Sequence, residues 1–327
     1  MLSLKFNNVY INDYDAIVGP NEIKGNTKNI KNVISDFYYD EKTFELAQIK
    51  MERNVIYNIL KNNNLTNNNV DLIIGGDLSN QIACTSYSLD TFDISFLGMY
   101  GACSTFIESI IVASNLISNS NINKAICLTA NHNLVAERQF RYPVEYGALK
   151  NENSTFTSTA SVACLLSSKK GNIRVSKGTI GAVKKLGIND PNYVGAVMAP
   201  SCAETIYNHF INFNIKPNYY DLILTGDLGS VGVSILKDYL KEEYNLDLKN
   251  ITDAGSKLYK TIEDINDGAS GPATLPLYLF YNILQNKKYK KILVVGTGAL
   301  HSKTLVNQKE EIPSISHAIE LEVLSWV

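Results

Sequence analysis

The feature that most constrains this fold is an internal repeat with a spacing of 150 positions. A repeat held without gaps over several segments indicates two copies of one structural unit, and two copies are too few for a solenoid. The sequence therefore predicts one body built from two related halves. The matching segments are Ile56-Tyr57-Asn58 with Ile206-Tyr207-Asn208, Asp71-Leu72-Ile73 with Asp221-Leu222-Ile223, and Gly76-Asp77-Leu78 with Gly226-Asp227-Leu228.

The repeat continues at an offset of 167, where Gly101-Ala102-Cys103-Ser104 matches Gly268-Ala269-Ser270-Gly271. Each half reads as a helix, an apolar strand, a buried helix led by glycine, and a second strand. Alternating helices and strands are typical of α/β proteins. We therefore predict an α/β fold in αβαβα layers with a pseudo-twofold axis, in which Cys103 and Ser270 face each other. The expected halves are 1–170 and 171–327, divided at a charged turn.

The glycine-led segment of the first half, Met99–Phe106, places Cys103 just before the apolar run Ile107–Ala113. A helix that is apolar on every side belongs in the protein interior, and Ser104 or Thr105 could cap it. Backbone N–H groups at such a helix start can bind an anion or an oxyanion. The alternative is a small buried cysteine packed behind a glycine turn.

Composition narrows the function classes. Hydrophobic residues are 45% and charged residues 19% of 327, which is typical of a globular protein. The net charge of −2 gives no electrostatic footprint for nucleic acid. Five scattered cysteines predict reduced thiols without a disulfide framework, and no spacing suggests a metal site or a cofactor. No signal peptide or membrane span is expected, so we predict a cytoplasmic-type soluble chain.

A second candidate region follows the predicted strand Ala125–Thr129. His132 comes directly after it, and Arg138 and Arg141 are three positions apart, so they share a face if the segment is helical. Ligands in open α/β sheets bind beyond the carboxyl ends of strands. The alternative is a pair of solvated arginines beside a histidine bonded to local backbone.

The chain resembles the thiolase and β-ketoacyl-synthase superfamily, and within it the stage V sporulation protein AD family of endospore-forming bacteria. The resemblance covers nearly the whole chain in order, and its most specific part is Ala136–Pro143. The segments that carry it are Gly75–Gln81, Met99–Thr105, His132–Tyr146, Leu186–Pro191, Tyr220–Leu228, Gly296–Leu300, Gln308–Glu310 and Ile312-Pro313.

This resemblance implies a binder of dipicolinic acid or its calcium chelate. It would act in sporulation and germination with other stage V sporulation A membrane proteins, which would hold it at the spore inner membrane. It also implies a possible homodimer. A dicarboxylate requires charge-assisted donors. The residues expected at its site are Cys103, Ser104, His132, Arg138, Arg141 and Ser270.

The second half departs from active thiolases and synthases, which carry a histidine near the second buried helix. No residue between Glu263 and Thr274 is His or Cys, although His301 lies beyond the Gly296–Leu300 loop. This absence favours a binding protein. The alternative is an acyl-transfer or condensing enzyme with Cys103 as nucleophile and His132 as base or oxyanion donor. Asp77 and Asp227, at equivalent strand ends, are expected to orient donors or cap helices.

Overall fold

The computed structural model describes residues 1–140, 154–259 and 267–326. Within these ranges the first half contains eight strands and four α-helices. The strands are β1 (Leu2–Lys5), β2 (Tyr10–Val18), β3 (Asn32–Val33), β4 (Leu72–Asp77), β5 (Phe96–Gly98), β6 (Lys124–Asn131), β7 (Phe156–Thr157) and β8 (Ala160–Ser167). The helices are α1 (Phe44–Asn62), α2 (Ala83–Ser88), α3 (Thr105–Ser118) and α4 (Asn133–Phe140).

The second half repeats this pattern over its described residues. Its strands are β9 (Ile173–Ile180), β10 (Leu222–Thr225), β11 (Ile251–Asp253), β12 (Ala269–Ser270), β13 (Lys291–Ala299) and β14 (Ser314–Val323). Its helices are α5 (Val194–Asn212), α6 (Gly229–Tyr244), α7 (Ala254–Leu258), α8 (Thr274–Tyr278), which continues as a π-helical turn, and α9 (Lys303–Asn307).

The strand order shows the duplication directly. The first half runs β5-β4-β6-β8-β2 and the second runs β11-β10-β13-β14-β9. In each set three strands are parallel and the other two are antiparallel to their neighbours. The predicted α/β fold of two duplicated halves is therefore confirmed. The boundary expected after residue 170 lies in the turn between β8 and β9.

Equivalent aspartates form the same hydrogen bonds in both halves. The Oδ2 atom of Asp71 accepts the backbone N–H groups of Asn123 and Lys124 at 2.7 and 2.9 Å. Asp221 Oδ2 accepts those of Lys290 and Lys291 at 2.8 and 2.9 Å. Each aspartate thus ties the start of one parallel strand to the start of the next. The sequence repeat is preserved as repeated contacts.

Helices fill three layers around the two sets of strands. The central helix α3 packs against β4 and β6 of the first half and against β13 and β14 of the second. Its side chains Phe106, Ile107 and Ile110 are fully buried. Helix α1 covers the outer face of the first set and α5 that of the second. The resulting order is the predicted αβαβα, with α3 in the middle layer.

Two glycines of β13 allow α3 to begin directly against the sheet. A Cβ atom on Gly298 would overlap the carbonyl oxygen of Gly101, and one on Gly296 would lie 2.9 Å from a side-chain carbon of Ile107. The turn that starts α3 contains Ala102, whose φ of 50° is left-handed and costs about 1–2 kcal/mol for a residue with a Cβ. This turn presents Cys103.

The two sets of strands join through a short contact. Strands β2 and β9 pair only at Tyr10 with Arg174 and at Ile11 with Ile173. Strand β1 also crosses between the halves, because it pairs antiparallel with β9 from Leu2 opposite Ile180. The middle helical layer adds a second contact between the halves, because α3 packs against β13 and β14.

The hydroxyl groups at the start of α3 differ from the predicted caps. Ser104 Oγ donates to the carbonyl of Gly101 at 2.7 Å, and Thr105 Oγ1 donates to that of Ala102, also at 2.7 Å. Neither side chain caps the helix. Because both hydroxyl protons bond to carbonyls of the preceding turn, these residues stabilise that turn instead.

Within the described ranges, no helix is long and apolar enough to cross a bilayer.

Candidate functional site

A narrow cavity of about 50 Å³ lies where the two halves meet, beyond the carboxyl ends of β4, β10 and β13. This is the edge at which open α/β sheets bind ligands. Both halves contribute to its wall. The lining residues are Leu78, Ala102, Cys103, Glu137, Thr157, Pro191, Val194, Met198, Asp227, Ser270, Gly271, Ala299 and His301.

Cys103 and Asp227 line the same cavity. Cys103 is half-buried in the turn before α3, and its thiol favours the charged form of the Asp227 carboxylate. Asp227 also accepts from Thr297 Oγ1 at 2.9 Å and from the N–H of Gly271 at 3.0 Å. Burial raises the pKa of Asp227 to about 6, although these donors favour its charged form.

Ser270 and Gly271 form the wall contributed by the second buried helix. Gly271 has a φ of 107°, and a Cβ there would strike the side chain of Asn131. Asn131 donates to the carbonyl of Ser158 and accepts the N–H of Ala273 at 2.9 Å. These bonds fix the backbone of the two halves at the cavity. Cys103 and Ser270 thus line one space, as the repeat predicts.

A second buried carboxylate, that of Glu137, lines the same cavity. Its Oε1 atom accepts the hydroxyl of Thr157 at 2.9 Å, and the side chain is almost completely buried. Among the described lining residues two are acidic, Glu137 and Asp227, and none is lysine or arginine.

His132 lies outside this cavity, in the layer between the first set of strands and α1. Its Nε2 atom donates to the carbonyl of Phe37 at 2.8 Å, and Nδ1 accepts the N–H of Leu134 at 3.3 Å. The ring stacks on Phe44 at 5.4 Å. Burial lowers the pKa of His132 to about 4, so it is neutral at physiological pH. Both ring nitrogens bond to backbone groups, as the alternative interpretation of this histidine expects.

The remaining predicted residues do not converge on the cavity either. Arg138 donates to Glu45 at 2.6 Å and to the carbonyl of Leu134 at 3.0 Å, on the half-exposed side of α4. Arg141 lies outside the described residues. Ser104 is buried against Gly101. Of the six residues expected at the site, Cys103 and Ser270 line the cavity, whereas His132, Arg138 and Ser104 do not. Their expected ligand contacts stay predictions that this arrangement does not favour.

Acyl transfer would place a specific requirement on the surroundings of Cys103. A nucleophilic cysteine requires a neighbour that accepts its proton and then stabilises the thiolate. Asp227 lines the same cavity as an anion, so a thiolate near it would bring two negative charges together. His132 cannot accept the proton from its position near Phe37, whereas His301 lines the same cavity as Cys103.

Sequence reasoning missed Glu137 and undervalued Asp227. Glu137 lies within the most specific resembling segment. Because a dianionic ligand requires positively charged contacts, the sequence favoured the neighbouring Arg138 and Arg141 as site residues. Asp77 and Asp227 look equivalent in the repeat. Asp77 accepts the N–H and hydroxyl of Thr85 at 2.8 and 2.7 Å and so caps α2, as expected. The two aspartates differ in that Asp227 lines the cavity and Asp77 does not.

Comparison with known families gives one full-length match. The sequence model of a family described as stage V sporulation protein AD matches residues 2–322. A stage V sporulation protein AD from Bacillus subtilis (strain 168) is 38% identical over 319 residues. The alignment covers 96% of this chain and 94% of that protein.

Solved structures with the same architecture are condensing enzymes. A 3-oxoacyl-(acyl carrier protein) synthase III from Xanthomonas oryzae pv. oryzae aligns with a TM-score of 0.61 and 13% identity, over 98% of this chain and 100% of that one. A variant of OleA from Xanthomonas campestris aligns with a TM-score of 0.63 and 13% identity, over 98% and 100%. At such identities the likeness shows the thiolase-like fold alone.

Proposed function

This chain belongs to the stage V sporulation protein AD family, and we propose that it binds dipicolinic acid or its calcium chelate without chemical turnover. The binding would serve the machinery that moves dipicolinate during sporulation and germination. The observation that supports the non-catalytic part is that the buried carboxylate of Asp227 lines the same cavity as Cys103. A buried anion in that place opposes a thiolate nucleophile.

The charge of the cavity wall bears on the form of the ligand. Dipicolinate is a dianion, and the described wall contributes the carboxylate of Asp227 but no lysine or arginine. The one-to-one calcium chelate is electrically neutral and so avoids repulsion from this carboxylate. The start of α3 and the hydroxyl groups of Ser270 and Thr157 can contribute dipoles and hydrogen-bond partners to such a ligand. We therefore expect the chelate to bind more tightly than the free dianion.

A substitution at Ser270 tests this location. Ser270→Leu places a larger apolar side chain in the cavity, and we expect it to weaken chelate binding at least tenfold in isothermal titration calorimetry. The matched control Ser270→Ala leaves the space open and should bind within about fivefold of the parent, since one neutral hydrogen bond contributes about 1 kcal/mol or less. Undiminished binding by the leucine variant would move the ligand site elsewhere.

The second candidate function is acyl transfer, which the half-buried Cys103 beside a cavity favours. Its test is intact-mass spectrometry after incubation with a panel of acyl-CoA thioesters, together with an assay of free coenzyme A. A covalent adduct on Cys103 with continued release would establish turnover. We expect neither continued release nor a condensed product.

We also propose that the chain forms a homodimer through β5, and that membrane partners hold it at the spore inner membrane. Strand β5 ends the sheet and pairs only with β4 among the described residues. Phe96 and Leu97 on it are 36% and 42% exposed. An unpaired edge strand with exposed apolar side chains is a template for pairing with a second chain.

Leu97→Glu should therefore yield monomers in light scattering coupled to gel filtration. A charged side chain at the centre of an apolar contact is costly to bury. Leu305→Glu, at an exposed leucine of α9, is the matched control and should leave the dimer intact. A Leu97→Glu protein that still elutes as a dimer would contradict this interface.

A further inference from the structure

A large groove lies at the end of the sheet opposite the cavity. It measures about 980 Å³, and its wall includes the last turn of α1, the first residue of β6 and the turn between β8 and β9. The cavity, in contrast, lies beyond the carboxyl ends of the parallel strands. Nothing in the proposed function uses this groove. We call it the lysine groove, after the residues that line it.

Five lysines line this groove, and none of them forms an ion pair with another described residue: Lys31, Lys61, Lys124, Lys169 and Lys170. Some lysines elsewhere in the described ranges pair with carboxylates, such as Lys177 with Glu320 at 2.7 Å. None of the five has such a partner among the residues that the structure describes. Ammonium groups clustered in a concave wall produce a local positive potential. This potential contrasts with the net charge of −2 on the whole chain.

The two carboxylates of the groove do not cancel this charge. Asp13 accepts from Asn63 Nδ2 at 2.6 Å, and Asp15 accepts from Asn58 Nδ2 at 2.8 Å. Amide side chains, not lysines, therefore hold both. Five ammonium groups against two carboxylates leave the groove positive. Because the lysines have no acidic partner there, they remain available for an incoming anion.

The shape and the other polar groups indicate what kind of anion fits. A groove of this volume is far larger than a single small anion requires, and its concave wall does not match a flat bilayer surface. Asn29, Asn62 and Asn172 also line it, and an amide side chain offers both a donor and an acceptor to peptide groups. We propose that the lysine groove is a docking surface for an extended, acidic segment of a partner protein.

The test uses the full chain and a fluorescein-labelled octaglutamate peptide, followed by fluorescence anisotropy. The probe variant is Lys169→Glu with Lys170→Glu, because both side chains are exposed in a turn and make no described side-chain bond. The control, Lys237→Glu with Lys241→Glu, makes the same charge change on exposed positions of α6. Thermal melts check that both variants are folded.

We expect the peptide to bind at low salt, with affinity falling as ionic strength rises. The groove variant should bind at least tenfold more weakly, while the α6 control stays within about twofold of the parent protein. Ser270→Leu should leave peptide binding unchanged, which separates this result from that of the cavity. Equal binding by the groove and control variants, or no binding at all, would overturn the proposal. So would binding of phosphatidylglycerol vesicles, but not the peptide, in a groove-dependent manner.

Discussion

Gly298→Ala is expected to destabilise the protein by about 3 kcal/mol or more and to abolish ligand binding at the cavity. The new methyl group would overlap the carbonyl oxygen of Gly101, which is backbone and has no rotamer to relieve the clash. The turn that presents Cys103 would therefore have to move away from β13. Urea unfolding monitored by circular dichroism measures the first effect, and calorimetry the second.

A glycine with open space at its Cβ position provides the control. Gly187 has a φ of 82°, and no atom lies near the position where its Cβ would be. Gly187→Ala should cost only about 1 kcal/mol, the conformational penalty of a left-handed residue. If the two alanine variants unfold at the same urea concentration, the close approach of α3 to β13 does not matter for stability.

Glu52→Gln is expected to stabilise the protein by an amount on the order of 3 kcal/mol at pH 8. Glu52 is completely buried in α1, and burial, with a smaller contribution from the charge of Asp77, raises its pKa to about 8. A neutral amide of the same shape avoids the cost of the buried charge. Its Oε1 atom can still accept from Gln48 Nε2, which lies 3.0 Å away.

The hydrogen bonds around Glu52 can accommodate a protonated carboxyl group. Ser88 Oγ lies 2.8 Å from the carbonyl oxygen of Thr85 and 3.1 Å from Glu52 Oε2. A serine hydroxyl has one proton, and a carbonyl can only accept. If Ser88 donates to Thr85, the contact with Glu52 is complete only when Glu52 carries the proton.

The pH dependence of this prediction has a definite sign. The folded state binds the Glu52 proton more tightly than the unfolded state, whose pKa is near 4.5. The stability that this carboxyl contributes is thus complete below pH 4.5 and is lost as the pH rises through about 8. Melting temperatures of Glu52→Gln and parent should coincide near pH 4 and separate toward pH 8. Glu243→Gln, at an exposed position of α6, should show no such separation.

The sequence was sufficient for the architecture because the repeat carries structural information twice. Asp71 and Asp221 match in the sequence, and their hydrogen bonds match in the structure. Cys103 was placed correctly before a buried helix, because a glycine turn followed by an apolar run is typical of a helix that begins in the protein interior. The offset between the halves also paired Cys103 with Ser270, and both line the cavity.

The positions of the charged residues could not be predicted in the same way. Consecutive side chains at a strand end point to opposite faces. Asn131 therefore faces the middle layer and bonds to Ala273, while His132 faces α1 and bonds to Phe37. The sequence shows that both follow an apolar strand, but it does not show which face is the cavity. That choice depends on the packing of the second half.

The pairing of β1 with β9 also affects how the chain acquires its structure during synthesis. Lys5 lies opposite Lys177, so about 170 residues must be made before β1 can find its partner. At about 5–20 residues per second, translation takes roughly 10 to 35 s to cover that distance. The nascent chain therefore carries β1 without its partner for all of that time. Strand β1 leaves the ribosome first among the described strands, but it cannot pair until β9 has emerged.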